Sequence, residues 1–388
     1  MDNNGIHATI PQLRFSDFAN DGEWEVKRLG DVCRLTNGMA FKPSDWQTTG
    51  IPIVRIQNLN DEKAPFNYCD PDIIDTKCMI DSGTLLFSWS GTPGTSFGAY
   101  IWNRGKAVLN QHIFIVDPIG IDQVFLKMTF DANMARIIEK SHGGAGLRHI
   151  TKSDLEEIQI YVPIRLSEQQ RIAAFLSSLD EMLSATKGKH EQLKAYKKGL
   201  MQKLFPARDS KLPKLRFKEF EKDGEWIAKK FGEIISVNSG RDYKHLNYGD
   251  IPVYGTGGYM LSVNDKLSDI DAVGIGRKGT IDKPQFLKAP FWTVDTLFFL
   301  TNRKENDIQF IYYLSQTIPW KKYGEQTGVP SLSKISIENL DVVVPPSVLE
   351  QRKIVQTLLP LDEEIDSLSQ RIVSLENQKK GLMQQLFA

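Results

Sequence analysis

Gly274-Ile275-Gly276-Arg277-Lys278-Gly279 matches the G-x-G-x-x-G spacing that cradles a pyrophosphate. That chemistry needs a helix to open there, offering its N-terminal N–H groups to the phosphates. Thr280-Ile281-Asp282-Lys283-Pro284 follows instead, which is no helix. The two cations inside the glycines suit a loop whose backbone and charges meet a phosphate chain. Pro71-Asp72 followed by Asp75-Thr76-Lys77 imitates a metal-nuclease signature. Its two parts lie too close for one metal to draw ligands from separate strands, so the run reads as a solvated acidic loop. There is no G-x-x-x-x-G-K-[ST] loop for ATP, and Pro345-Pro346 lacks the flanking Asn or Asp and the aromatic of an amino-methylating site. The six histidines form no pair at metal-ligand spacing. The expectation is a chain without catalytic or metal residues of its own.

What remains is polar and aromatic loop chemistry, of the kind that reaches base edges and phosphates. Arg55, Gln57 and Asn58 carry the side chains that pair bidentately with bases. Ser88, Trp89, Ser90 and Thr92 lie in a Gly- and Thr-rich run that fills a slot similar to Arg277, Lys278 and Thr280. Arg148 and His149 lie in Gly146-Leu147-Arg148-His149-Ile150, 182 positions before Gly328-Val329-Pro330-Ser331-Leu332, which contributes Ser331. Tyr254 and Thr256 add donors on an expected flexible loop. Each of these stretches also fits an ordinary surface loop.

The elements that position these loops come in two copies. Pro11-Gln12-Leu13-Arg14-Phe15 returns as Pro213-Lys214-Leu215-Arg216-Phe217, and Asp21-Gly22-Glu23-Trp24 as Asp223-Gly224-Glu225-Trp226. Glu168-Gln169 returns as Glu350-Gln351, and Lys197-Lys198-Gly199-Leu200-Met201-Gln202 as Lys379-Lys380-Gly381-Leu382-Met383-Gln384. The opening blocks lie 202 apart and the closing blocks 182 apart, so the second middle is 20 residues shorter. Each copy has a matching opening, a dissimilar middle and a matching close.

The closing blocks predict long helices, started by capping boxes at Ser167 with Gln170 and Ser347 with Glu350. Steps of four and three run through Ile354, Leu358, Leu361, Ile365, Leu368, Ile372, Leu375, Lys379, Leu382 and Leu386. The first copy matches with Ile172, Leu176, Leu179, Leu183, Thr186, His190, Leu193, Lys197, Leu200 and Leu204. This is a coiled-coil seam, and the expected partner is the other seam of the same chain, antiparallel. His190 reads as a packing or register residue, and Pro360 predicts a kink or break near Leu359. The middles, about 19–163 and 221–345, read as mixed α/β: strands are expected at Ile51–Ile56, Leu85–Phe87, His112–Val116, Thr296–Leu300 and Leu340–Val344, and helices at Phe125–Lys140 and Ile308–Ser315.

The expected fold class is therefore α+β: two mixed α/β domains, 1–165 and 207–345, separated by helices 166–206 and 346–388 that pair as an antiparallel coiled coil with an internal pseudo-two-fold. At ~100–200 residues per domain, 388 residues allow this. With 41% apolar and 25% charged residues the chain is no disordered segment. No apolar run approaches the ~18 residues of a membrane span. The net charge is zero, with −4 over 1–165, +3 over 166–206, +2 over 207–345 and −1 over 346–388, which argues against a general polyanion binder. Cys33, Cys69 and Cys78 form no C-x-x-C, and the start carries no export signal, so a reduced cytoplasmic protein is expected.

At this point the chain resembles the specificity subunits of type I restriction–modification systems. The resemblance rests on P-x-L-R-F…G-E-W, on Lys152-Ser153-Asp154-Leu155…Val162-Pro163, and on E-Q-Q-R-I…K-K-G-L-M-Q-x-L-F. The second copy departs in Glu350-Gln351-Arg352-Lys353 and in Pro360. The resemblance implies that each middle is a target recognition domain reading one half of a split duplex DNA site. The helices would fix the spacing and dock two methyltransferase subunits, which two restriction subunits can join. S-adenosylmethionine, ATP and Mg would then sit on those partners and not on this chain. The alternatives are the recognition subunit of a type II-like methylase–nuclease, a chain that methylates or cleaves DNA by itself, and a coiled-coil protein-binding scaffold.

Overall fold

A computed structural model describes residues 10–387 apart from 62, 145, 209, 304 and 325–328. Two helices dominate it, Leu166–Leu204 and Val348–Leu386, each 39 residues long. Their contacts divide the chain into two units, one formed by residues up to Ala185 with Ile372 onward, the other by Thr186–Arg371. Each unit thus contains one mixed domain, the start of the helix that follows it and the end of the other long helix.

In the first unit an antiparallel four-stranded sheet runs in the order Cys33–Asn37, Ile113–Pro118, Leu85–Ser88, Gly98–Ile101. Leu85–Ser88 is buried throughout, because its side chains alternate between two cores. Leu85 and Phe87, with Phe114 and Val116, pack toward the helix Gln123–Ala132 and the long helices. Leu86, Ile113 and Ile115 pack toward a second four-stranded sheet, ordered Asn67–Cys69, Ile51–Val54, Ala107–Leu109, Met79–Ile80. The second unit repeats the first sheet as Ile235–Ser239, Leu297–Asn302, Ala272–Gly276, Gln285–Leu287. Val273, Ile275, Phe298 and Leu300 face the helix side, and Ala272, Leu297 and Phe299 the other. Its second layer is smaller, Gly258–Val263, Tyr248–Gly255 and Trp292–Thr293.

The recurring motifs prove to be the joints of this frame. Arg14 forks onto Glu168 at 2.7 and 2.8 Å, and the Trp24 indole N–H donates to the same carboxylate at 3.2 Å. Arg216, Trp226 and Glu350 repeat this at 2.9, 2.8 and 3.1 Å. Both carboxylates are buried, and hydrogen bonds to Glu168 and Glu350 raise the pKa of their arginines above the ordinary value. The next residue ties the helix to the domain. The Gln169 side-chain carbonyl accepts from the Asp122 N–H, and that of Gln351 from the Asp307 N–H. Asp122 and Asp307 in turn cap Gln123–Ala132 and Ile308–Thr317. The closing Leu-Phe of each helix completes a core: Phe387 stacks on Phe125 at 5.4 Å, and Phe205 on Phe310 at 5.6 Å.

Every seam position is buried or half-buried. Within the second unit His190 meets Ser369 at 3.0 Å and Lys197 pairs with Asp362. Within the first, Lys379 meets Asp180 at 2.5 Å. One residue number falls as its partner's rises, so the helix segments run antiparallel, and the Lys–Asp pair is made twice by residues 182 apart. His190 packs half-buried in the seam.

Several expectations are corrected. Val348–Leu386 runs unbroken through Pro360. A proline removes one hydrogen bond, but Val355, Leu358 and Leu361 hold the segment to the domain on either side. Ser347 caps its helix by accepting from the Leu349 N–H, whereas Ser167 lies inside a helix that begins at Leu166. Neither Glu350 nor Gln170 completes a capping box: Glu350 is taken by Arg216, and Gln170 is exposed at the helix surface. The strand at Ile51 stops at Val54, with Arg55 preceding a short helix, Ile56–Asn60. The strand expected from His112 begins at Ile113. The expected helix Phe125–Lys140 is two, Gln123–Ala132 and Met134–Lys140, separated at Asn133.

Candidate nucleic-acid interface

In the first unit one small sheet gathers most of the candidate residues. Ser90–Gly91 pairs with Leu147–His149, placing Arg148 opposite Gly91 and His149 opposite Ser90. The Thr92 hydroxyl donates to the Gly146 carbonyl at 2.7 Å, fastening the same loops. Trp89 stacks near Phe114, and its indole N–H is shared between Asn37 and Gln111. Its ring edge meets His112, 5.0 Å between centroids. His112 lines a recess of about 300 Å³ with Arg55 and Gln57. Arg55 donates to Asn67 at 2.6 Å, with its guanidinium 5.4 Å from the Trp46 ring centre. That fixes a cation at the surface, beside an indole that is 41% exposed. Sequence reasoning missed Trp46 and His112, whose role depends on the chain bringing them to Arg55 and Trp89.

Two candidates turn inward. Asn58 is buried, accepts from the Arg55 N–H and donates to the Ala64 and Pro65 carbonyls. Ser88 is fully buried and donates to the Ser90 carbonyl. Both shape the loops and present nothing to a partner.

The second unit builds the equivalent corner from other residues. Lys278 bridges Ser331 antiparallel, as Ser90 does His149, although Gly328 lies outside the described residues. Each glycine of the G-x-G-x-x-G run has a structural task. A Cβ on Gly274 would press on Leu287, and one on Gly276 would meet the Thr280 carbonyl at 2.1 Å. Gly279 adopts φ +82°. No helix follows, as expected. The backbone part of the phosphate-loop expectation is corrected, because the Arg277 and Gly279 N–H groups donate to the Thr296 and Pro330 carbonyls. The exposed side chains of Arg277 and Lys278 remain, the former 5.7 Å from the Phe298 ring centre. Thr280 is half-buried at the end of this turn.

Tyr254 and Thr256 sit on a tight hairpin and not on a flexible loop. Tyr248–Gly255 and Gly258–Val263 pair directly, and Gln285 donates to the Gly255 and Thr256 carbonyls at 3.0 and 3.2 Å. Burial, with Tyr259 nearby, raises the Tyr254 phenol pKa. The exposed side chains of this ribbon are Tyr248, Asp250, Tyr259 and Met260. The acidic run at Asp70–Lys77 is structural: Asp70 and Asp75 accept from the N–H groups of Asp72 and Lys77 to cap two short 3-10 turns. Among the described residues no cluster of three or more His, Cys, Asp or Glu could hold a metal, and no helix is long and apolar enough to cross a membrane.

A second repeated feature lies away from these loops. In the second unit a groove of about 730 Å³ separates the helix end from the domain, floored by Met201 and Phe205. In the first unit its counterpart, about 640 Å³, is floored by Met383 and Phe387.

Fold and site together define a duplicated binding module, in which unlike polar corners are carried on a repeated frame. A family model for the type I restriction modification DNA specificity domain matches residues 21–195 and again 223–377. The chain belongs to this family and is a DNA specificity subunit of the type I class. It is similar to the type I restriction enzyme MjaVIII specificity subunit of Methanocaldococcus jannaschii, 24% identical with 93% of this chain and 91% of that one covered. It is also similar to the EcoDI specificity subunit of Escherichia coli, 22% identical over 94% of this chain and 87% of that one. A crystal structure of the type I S subunit from M. genitalium shares the fold, with a TM-score of 0.73 at 20% identity over 97% and 99% of the two chains.

Proposed function

We propose that each mixed domain reads one half of a bipartite duplex site, and that the paired helices set the unread spacing and dock two methyltransferase subunits. One observation carries this reading: Arg–Glu–Trp joints of one design hold two unlike polar corners. A repeated frame is what two identical partners need, and unlike corners are what two different half-sites need. Arg148 with the Trp89–His112 pair, and Arg277 with Lys278, supply cations and aromatic edges for phosphates and bases. The chain contributes recognition, while S-adenosylmethionine chemistry and any ATP- and Mg-dependent cleavage belong to cytoplasmic partner subunits.

The twin grooves support docking on the helices. Each presents a Met–Phe floor beside Lys198 or Lys380, with Gln202 or Gln384 along the rim. Tyr196 and Gln378 extend the exposed helix faces. Replacing residues 19–163 with another reader, then mapping methylated bases in the host genome, tests the modular part. One half of the modified site should change and the other stay fixed; a change in both halves would refute it.

A further inference from the structure

We infer that the two docking grooves are unequal and fill in order, the groove of the second unit first. The inference rests on the docking proposed above and adds an order to it. The helix residues that line the two grooves are equivalent, yet the charges of the grooves differ. The second unit's groove is lined by Lys194, Lys197, Lys198 and Arg208 against Asp362, a net of three positive charges. The first unit's is lined by Arg136, Lys379 and Lys380 against Asp131 and Glu376, a net of one. The sharpest difference falls at equivalent exposed positions, Lys194 in one and Glu376 in the other. Lys194 also meets Glu191 at 3.2 Å, but both are more than half exposed, and a partner carboxylate can replace that contact.

Both grooves carry net positive charge over an apolar floor. The segment they fit therefore has an apolar anchor flanked by carboxylates. Two identical copies of such a segment meet the same floor and different charge. The copy in the second unit gains extra attraction to Lys194 and Arg208, while the copy in the first meets a carboxylate, Glu376, where the other meets Lys194. The complex with one methyltransferase should therefore accumulate before the complex with two, in proportion to how weakly salt screens the grooves.

Titrating the full-length chain with the methyltransferase subunit of the same system, followed by calorimetry and native mass spectrometry, tests this. At low ionic strength two steps are expected, the first on the order of tenfold tighter, the size of two exposed charge contacts. Added salt should bring the steps together. Glu376→Lys should tighten the second step, Lys198→Glu should weaken the first and Lys380→Glu the second. Equal steps at every salt concentration, with Lys198→Glu and Lys380→Glu acting alike, would overturn the order while leaving docking intact. Unchanged binding in both of those variants would overturn the docking itself.

Discussion

Glu168 and Glu350 are the residues on which the frame depends most. Each buries a carboxylate under an arginine fork and an indole N–H. Glu168→Ala would leave Arg14 charged and buried without its partner, so a loss of about 3–5 kcal/mol is expected in denaturant unfolding of the first unit. The double variant Arg14→Met with Glu168→Leu should recover most of that loss, because burial of an ion pair costs about what it returns. A single-variant loss under about 1 kcal/mol would show that water reaches the joint. Arg277 and Lys278 belong to the opposite category, cations whose side chains are exposed. If they meet phosphates, neutralising both should weaken binding to every duplex alike and flatten its salt dependence. A loss of about 1–3 kcal/mol confined to one base position would instead make Arg277 a guanine reader. Unaltered binding would place this corner off the DNA.

Among the elements, the long helices combine a narrow seam with two specialised ends. Their first turns carry the Glu-Gln joint, and their last turn carries the Leu-Phe plug of a core. At ~1.5 Å per residue a 39-residue helix extends roughly 58 Å. Gly188 and Gln370 are exposed positions near the middle of these helices, away from both joints and plugs, so length is best changed there. Inserting one heptad in each helix, near Gly188 and Gln370, preserves the seam phase and adds roughly 10 Å. Mapped methylation should then show both half-sites unchanged and the unread spacer longer by about three base pairs. An active variant with its original spacer would show that the helices do not set the distance.

For the whole molecule, burial of weak acids predicts a limit on the alkaline side. Burial pushes the Cys33 thiol from 9.0 up to about 12, and burial with Asp362 and Asp366 nearby pushes the Tyr312 phenol from 10.0 up to about 12. Unfolding lets both ionise at their ordinary values, so the folded state binds more protons through this range. Stability present below pH 9 should therefore fall as pH rises toward 12, in both units. A flat unfolding midpoint across that range would contradict it. The sequence by itself determined the duplication, the helices, the seam and that no helix opens after Gly274–Gly279, since each follows from the residues and their spacing along the chain. It also marked which corners carry cations and aromatics. It did not show what the repeated motifs do, because Arg14 meets its carboxylate 154 residues away and Arg216 does so at 134. Pattern could not show that Asn58 and Ser88 turn inward, that Tyr254 sits on a tight hairpin, or that Pro360 leaves its helix whole. Those outcomes depend on which distant groups supply hydrogen bonds and packing, and only the folded chain brings such groups together.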